Sequence, residues 1–522
     1  MWEELQMNDD LRKATHSSSK NFIRPHGVGL RGLTAPRGSE QFEGRFGRMF
    51  RTLPAAEHTD DDLKALAAEK AMTAEFEAQQ TPETEPDNEE NVDGEKIHIS
   101  AGYTYFGQFV DHDLTFDPAS SLQKQNDPDG LVDFRTPRFD LDCVYGRGPD
   151  DQPYLYDGPV RMLLGDKLDV NPGGTQAFDL PRSRNGRALI GDPRNDENSI
   201  VSQFQGIMLR FHNRVAALLG SDASFAEVQQ TVRWHYQWAV LHDFLPTIAG
   251  GNVVKDILPH LDNGKSIRED KPQLFFFHWR DAPFMPLEFS VAAYRFGHSM
   301  VRPIYRLNRK PPTQPESRIL IFAKPPQPSL AGFRPLDKDR TIEWDLFFPI
   351  RKKAPVVGKE RLQPAYKIDS SLVNPLGNLP PEVASNPAIL AERNLLRGKS
   401  FGLPSGQSVA RYMGRTPLTE DQLKVGKAPD DKTNKRLVDI SPKFEDNAPL
   451  WYYILAEAQH EHGGSHLGTV GGRIVAEVII GLIAGDNFSY LAQDPTWRPD
   501  PQLCRDGKNF HIADLIVAAT ST

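Results

Sequence analysis

The sequence predicts a mainly α-helical protein, and three observations carry that prediction. Apolar residues recur at three- and four-residue spacing in several runs, the periodicity of helices with one buried face. Period-2 alternation is scarce and short, which leaves little material for sheets. Proline is abundant, 42 in 522 residues, or about 8% against roughly 5% in an average protein, and it clusters between the helical runs. Hydrophobic residues at 39% and charged residues at 25% are ordinary globular proportions, so a sizeable core is available. The expectation is a body of many helices joined by long, irregular, proline-rich connections.

Taken in order, residues 1–45 are polar, rich in Ser, Arg and Gly, and without a sustained period. They are expected to form an extended or disordered arm, with one large domain over 46–522. Glu75–Lys96 is acidic and nearly free of apolar residues, a solvated loop by composition. Ile97–His112 turns apolar and aromatic, with Tyr103, Tyr105, Phe106, Phe109 and Val110, and is expected to be a buried helix or segment. Asp117–Arg135 returns to loop. A long helix is expected from Asp192, because Asp is a preferred N-cap and Pro193 at the first helical position loses no hydrogen bond. Ile200, Phe204, Ile207, Phe211, Val215 and Leu218 then mark its buried stripe. Further helices are expected over Phe225–Leu245, Ser290–Met300, from Leu390 through Leu396, over Pro449–Gln459 and over Gly471–Ala484. The proline-rich stretches Arg309–Pro335 and Phe348–Pro381 lie between them.

Charge and cysteine usage exclude several classes. The net charge of −9 supplies no basic field to hold a phosphate backbone, so a nucleic-acid binder is not expected. Two cysteines, Cys143 and Cys504, make neither a disulfide framework nor a CxxC metal pair. The first thirty residues contain no apolar h-region, so no cleavable signal peptide is seen. The most membrane-like stretch, Val470–Gly485, is interrupted by Arg473 and Glu477, well short of the roughly 20 apolar residues a bilayer needs. A soluble protein is expected, cytoplasmic or exported by a leaderless route. Its oligomeric state is not written in the sequence.

Among the 15 histidines, the densest cluster is His460, Glu461, His462 and His466. Its i, i+2, i+6 spacing beside a Gly-Gly does not put three ligands on one helix face and is not HExxH, so no metal is expected there. His112 stands out because Asp111 and Asp113 flank it at the end of an aromatic, apolar run. Two carboxylates in such a place are costly unless each has a partner or a covalent or metal role; the alternative is a polar helix end reaching solvent. Arg194 and Glu197 lie three apart in one turn after Asp192 and so share a face, although an acidic residue in a first turn also suits simple capping. In Tyr294-Arg295-Phe296-Gly297-His298, the glycine beside the histidine would let a flat group approach the backbone. Arg393-Asn394-Leu395-Leu396-Arg397-Gly398 leads into Gly402-Leu403-Pro404.

Together these segments resemble the animal-type haem peroxidases, a superfamily that extends to the cyclooxygenases. GQFVDHDLTFDP at 107–118 is similar to the distal-histidine segment, and GDPRNDEN at 191–198 followed by MLRFHNRVA to the catalytic-arginine helix. YRFGHSMVRP at 294–303 is similar to the proximal-histidine helix, and RNLLRGKSFGLPSGQ at 393–407 to the segment with the asparagine behind that histidine. The four occur in the family's order, across roughly Phe46 to the C-terminus.

The resemblance implies haem b with His298 as iron ligand and Asn394 accepting that ring's other N–H. It implies His112 as distal base towards hydrogen peroxide, Arg194 as stabiliser of the charge that develops as the O–O bond breaks, and Gln108 ordering water or a halide, with turnover through a high-valent iron intermediate. Arg397 matches a partner of a haem propionate. Asp111 and Glu197 match the two carboxylates that form ester links to haem. Asn198 stands where the member with a third, sulfonium link has Met, so at most two links are expected. A calcium site is implied through Asp113, Thr136, the Arg138 carbonyl, Asp140 and Asp142, an oxygen donor set suited to a hard cation. The oxygenase branch carries a radical-forming Tyr three positions before the proximal His; here that position is Arg295, and Tyr294 is turned about 100° away on a helix. Tyr236 is an unmatched radical candidate. The expected reaction is peroxide reduction coupled to oxidation of bromide, iodide, thiocyanate or aromatic donors. A fatty-acid dioxygenase is the alternative. A haem-binding adhesion protein without turnover would show damage at His112 or Arg194, and both residues are present.

Overall fold

The expected helical architecture is met, with only two- and three-stranded sheets among the described residues. The structure is a computed structural model and describes residues 44–68, 72, 89–115, 132–133, 135–168, 177–259, 261, 266–280, 282–309, 318–323, 329–358, 360–381, 383–384, 386–430 and 432–521. The N-terminal arm and most of the acidic stretch lie outside them. No helix among them is long and apolar enough to cross a membrane.

The aromatic run forms α1, Ala101–Leu114, in which Tyr103, Tyr105, Phe106, Phe109, Val110, His112 and Asp113 are all buried. Such an all-round apolar helix needs neighbours on every side. One is α2, Ser199–Leu219, whose stripe Ile200, Phe204, Ile207, Phe211 and Val215 is buried as expected, with Leu218 at its edge. Phe204 meets Phe106 and Phe109 of α1 edge-on, with ring centroids 5.6 and 5.2 Å apart. Phe225–Ala239 forms α3, started by a capping box between Ser224 and Glu227. It runs into a π turn over Val240–Phe244, then a helical turn over Leu245–Ala249. Pro246 has no N–H to continue the α ladder, and the Leu245 N–H reaches back to the Val240 carbonyl instead.

Three expectations need correction. Asp192 caps not the long helix but a separate 3-10 turn, Pro193–Asp196, its side chain accepting from the Arg194 N–H at 2.8 Å. Asn198 is extended at φ −143° and caps α2 itself, accepting from Ile200 N and Val201 N. Ser290–Met300 is not an α-helix: a π turn over Glu288–Ala292 passes into a 3-10 helix over Ala293–His298, because Ala292 sits at φ −127°, ψ −72° and takes the chain off the α path. The acidic stretch is not solvated at its end. Glu89, Glu90 and Asn91 are buried, and Glu90 is paired by Arg302 at 2.6 Å and by Arg361 at 2.5 Å. Composition over a short window cannot see guanidinium partners more than two hundred residues away.

The C-terminal half adds α4, Leu390–Ser400; α5, Leu450–His462; α6, Thr469–Gly485; and α7, Ile512–Thr520. The buried Glu457 carboxylate of α5 takes the second and third N–H groups of α6, Val470 at 2.9 Å and Gly471 at 3.0 Å, while Glu461 takes the first, Thr469, at 2.8 Å. Asp243 in the π turn ties α1 to α7, accepting from Tyr103 Oη and from Ile512 N at 2.8 Å.

A strap at 330–333 holds the 3-10 turn from outside. Gly332 N donates to the Glu197 carbonyl at 2.9 Å, and Phe333 N to the Asp196 carbonyl at 2.6 Å. A Cβ on Gly332 would meet the Asp196 carbonyl oxygen at 1.8 Å and Glu197 C at 2.7 Å, both backbone atoms that cannot turn aside. Gly332→Ala is therefore expected to destabilise the fold by about 1–3 kcal/mol, the usual cost of overpacking, read as a lower Tm in calorimetry. Ala331→Gly, which only removes a side chain from the same strap, is expected to cost less than about 1 kcal/mol.

Candidate active site

Two elements bring one half of the site together. On α1, Gln108 and His112 are one turn apart and share a face; the 3-10 turn after Asp192 supplies Arg194, Asn195 and Glu197. Gln108 Nε2 donates to Glu197 Oε1, and Asn198 Nδ2 donates to Gln108 Oε1 at 3.1 Å. His112 Nε2 lies 3.6 Å from the same Glu197 oxygen, and its Nδ1 lies 2.7 Å from Asn195 Oδ1. Asn195 Nδ2 in turn donates to Gln205 Oε1 of α2 at 2.9 Å. Burial, aided by the Arg194 charge and opposed by Asp192, Asp111 and Asn195, holds the His112 pKa down at about 4, so the ring is neutral at pH 7. Burial raises the Glu197 carboxyl to about 7; Arg194 and the Gln108 bond resist the rise, and Asp111 and Asp192 add to it.

Arg194 is anchored rather than extended into the space beside His112. Its Nη2 donates to the His112 carbonyl at 3.1 Å, to the Thr115 carbonyl and to Asp192 Oδ2 at 2.8 Å. It thus caps the C-terminal carbonyls of α1 while its charge still acts on His112 and Glu197.

The other half is built around His298, the last residue of the 3-10 helix, and Asn394 on α4. The resemblance implies that Asn394 accepts from His298; in the structure the amide is turned the other way. Arg295 Nη1 donates to Asn394 Oδ1 at 3.0 Å, which occupies the amide oxygen, and Asn394 Nδ2 faces His298 Nδ1 at 2.8 Å. Arg295 is held further by the Ser290 carbonyl at 3.1 Å, and its own carbonyl accepts from Trp451 Nε1 at 3.2 Å. Burial and the Arg295 charge lower the His298 pKa to about 3. Arg397, on the same face of α4 as Asn394, lays its guanidinium over the Phe401 ring at 5.1 Å.

The halves adjoin through Tyr294, whose hydroxyl donates to the Gly107 carbonyl of α1 at 3.3 Å. Asp111 acts electrostatically on His112 and Glu197 on one side and on Arg295 on the other. Gln108, Asp111, Glu197, Gly297 and His298 are only half-buried although they lie deep in the fold. A Cβ on Gly297 would meet nothing within 4 Å. A neutral imidazole beside open space at a glycine, with two carboxylates on the walls, is a donor set that fits a flat iron macrocycle.

The proposed calcium residues stand close by. Asp113 is fully buried; its Oδ2 accepts from Leu141 N at 3.3 Å, and its Oδ1 has no hydrogen-bond partner. Burial and the neighbouring Asp140 and Asp142 raise its pKa, and burial and Asp140 raise that of Asp142. Thr136 Oγ1 donates to Asp140 Oδ2 at 2.6 Å, and the Arg138 guanidinium turns away to Asp486 at 3.6 Å. The orphan oxygen and the crowded carboxylates suit a cation, yet no three His, Cys, Asp or Glu side chains among the described residues converge to metal-holding geometry. In the His460 cluster, His460 faces Gln422 at 2.8 Å, and the His462 and His466 rings lie with centroids 3.9 Å apart, tilted by 35°.

Sequence reasoning missed Asn195, Asn198 and Gln205. Asn198 had a usable signal, an N-cap residue directly before an apolar period; Asn195 and Gln205 had none. The raised Glu197 pKa carries a sign. The folded state favours the protonated carboxyl, so this group's contribution to stability is full below its unfolded value near 4.5 and is lost as pH rises to about 7. Glu197→Gln is expected to match the wild-type Tm near pH 4 and exceed it near pH 8; parallel Tm curves for the two proteins across that range would refute the assignment.

Comparison with known proteins agrees with this architecture. A family model described as animal haem peroxidase matches residues 126–522. Mouse thyroid peroxidase is 25% identical over 403 residues, covering 72% of this chain and 40% of that protein. Peroxinectin A of Dictyostelium discoideum is 22% identical over 379 residues, covering 70% of this chain and 62% of that one. The chain thus spans only about half the length of these relatives. The fold matches peroxidase A of Dictyostelium discoideum with a TM-score of 0.59 at 17% identity, covering 95% of this chain and 96% of that one. It matches a variant of Oryza sativa fatty acid alpha-dioxygenase with palmitic acid equally, with a TM-score of 0.59 at 13% identity, covering 96% and 86%. With the family model matched over residues 126–522, more than half of its length, the chain belongs to the animal haem peroxidases.

Proposed function

We propose that this chain is a haem peroxidase that reduces hydrogen peroxide and oxidises bromide, iodide, thiocyanate or aromatic donors. The observation that carries the reading is that His112 and His298 stand on elements joined by the Tyr294–Gly107 hydrogen bond, with Glu197 3.6 Å from His112 and the Asp111 charge acting on both Glu197 and Arg295. Haem b would be held by His298, with Asp111 and Glu197 as the carboxylates for ester links and Arg397 as a propionate partner; when bound it would supply the redox chemistry for peroxide reduction. His112 takes the proton of the incoming peroxide at Nε2 and returns it to the departing oxygen. Arg194, fixed against Asp192 and the end of α1, places positive charge beside that reaction. Gln108, held between Glu197 and Asn198, presents a fixed dipole to water or a halide. Calcium would draw together Asp113, Asp140, Asp142, Thr136 and the Arg138 carbonyl.

The fold also suits a fatty-acid dioxygenase, but Arg295 occupies the position of that branch's radical tyrosine and is committed to Asn394. Tyr294 is spent on the Gly107 carbonyl and stacks on Phe289 at 4.7 Å.

In the haem-loaded protein, stopped-flow absorbance is expected to show a Soret change with peroxide that reverses on adding bromide or a phenol. His112→Ala is expected to slow the peroxide step by about 10²–10⁴-fold, the range for loss of a general acid–base. Oxygen uptake with a fatty acid, without reversal by these donors, would move the assignment to the dioxygenase. For calcium, an excess of about a hundredfold over Kd is expected to stabilise the protein by about 2.7 kcal/mol, and Asp113→Asn to remove the resulting Tm rise. An equal Tm with calcium and with chelator would exclude the site.

A further inference from the structure

We propose that Asn195, itself held by Gln205, is the positioning residue that keeps the His112 proton on Nδ1 and so leaves Nε2 as the ring's basic nitrogen. This rests on the peroxidase reading for its purpose but not for its geometry. All three side chains are buried, with relative exposures of 4% for His112 and 0% for both Asn195 and Gln205, so the hydrogen bonds between them are not shared with bulk water. The partner of His112 Nδ1, at 2.7 Å, is an amide oxygen. An amide oxygen can only accept, so Nδ1 must donate. The amide is oriented from its far side, where Asn195 Nδ2 donates to Gln205 Oε1 at 2.9 Å. At the other edge of the ring, Glu197 is 3.6 Å from Nε2, too far for a hydrogen bond.

The backbone makes the relay rigid. Asn195 sits in the short 3-10 turn whose N-cap is Asp192, its N–H donating to the Asp192 carbonyl at 3.1 Å. Gln205 is in the interior of the 21-residue α2. The relay therefore links the longest helix among the described residues, through the turn, to the imidazole on α1. A histidine that accepts a proton at one nitrogen needs its neutral tautomer set at the other, and a ring held in the wrong tautomer loses base catalysis with its position unchanged. In the proton transfer itself, the peroxide O–H bond breaks, an N–H bond forms at Nε2, and the Nδ1–H bond to Asn195 stays in place.

The opposite polarity is chemically defined. Gln205 Nε2 has no hydrogen-bond partner. Turning both amides over would let Gln205 Nε2 donate to Asn195, let Asn195 Nδ2 donate to His112 Nδ1, and put the ring proton on Nε2. The two arrangements differ in an observable that needs no haem: the protonation pattern of the imidazole nitrogens.

The test is long-range ¹H–¹⁵N correlation NMR at pH 7 on haem-free protein labelled at histidine, with the His112 signals assigned by their loss in His112→Ala. Wild type is expected to carry its proton on Nδ1. Asn195→Leu is expected to shift the population to Nε2–H, and Asn195→Asp, which keeps an acceptor oxygen, to restore Nδ1–H. Should Asn195→Leu not fold, Gln205→Met frees the Asn195 amide to turn and is expected to mix the tautomers. Nε2–H in wild type, or an unchanged tautomer in Asn195→Leu or in a folded Gln205→Met, overturns the proposal. In the haem-loaded protein, Asn195→Leu is expected to slow the peroxide step by about 10²–10⁴-fold, with Asn195→Asp recovering most of the loss. The expected tautomers with a peroxide rate indifferent to His112→Ala would sink the peroxidase reading and leave the positioning role standing.

Discussion

Asp192 is the fixed charge on which the site depends. Its carboxylate is fully buried and lies in three-way contact with Arg135 Nη2 at 2.7 Å, Arg194 Nη2 at 2.8 Å and the Arg194 N–H at 2.8 Å. Burial alone would drive its proton affinity up, but Arg194 and Arg135 outweigh that and hold its pKa below the usual carboxylate range. A buried carboxylate with two guanidiniums and a backbone N–H has its acceptor sites filled, so it behaves as a rigid node rather than as a titrating group. Through Arg194 it reaches the end of α1, and as N-cap it starts the turn that carries Asn195 and Glu197. Loss of that carboxylate would leave the half-buried Arg135 and Arg194 beside each other without their shared anion, a larger disturbance than loss of an ordinary cap.

That node explains why a short 3-10 turn lies between Asp192 and α2. A 3-10 turn has three residues per turn and so eclipses positions three apart, bringing Arg194 and Glu197 out in one direction, whereas a continuous α-helix from Pro193, at about 100° per residue, would offset the two by about 60°. The break at Asn198 lets the turn present three different groups to α1 while α2 keeps its own buried stripe. Asn198 serves both sides: its Oδ1 caps α2, and its Nδ2 fixes Gln108. Outside, the Gly332 strap closes the turn at a distance only a residue without Cβ allows.

The helices were readable because their evidence is local. The aromatic run before His112 and the stripe from Ile200 to Val215 announce buried segments, and both are buried. What was not readable depends on partners distant in sequence. Glu90 looks like one acid among many until Arg302 and Arg361 are folded onto it. At the start of the π and 3-10 turns that end at His298, Glu288 accepts from Met49 N at 3.0 Å and Phe50 N at 3.2 Å, partners that no nearby residue announces. The motif segments singled out His112, Gln108, Glu197, His298 and Asn394 by their immediate context, and the structure sets Gln108 and His112 beside Glu197 and His298 beside Asn394. The direction of the bonds between them was hidden, because donor and acceptor roles of an amide follow from its other neighbour.

Asn394 shows how much that neighbour matters. Its oxygen is held by Arg295 and its nitrogen faces His298, so the arginine three residues before the histidine governs which hydrogen-bond role the histidine is offered. For His298 to donate from Nδ1, the Asn394 amide must turn over, which sets its Nδ2 against the Arg295 guanidinium, donor against donor. Arg295 must then give up that contact while keeping the Ser290 carbonyl and the attraction of Asp111. Asp111 also acts on His112 and Glu197 across the pocket. The position of Arg295 is thus set by the wall shared between the two halves, and the polarity behind His298 is an outcome of the whole pocket's charge balance rather than of the local pair.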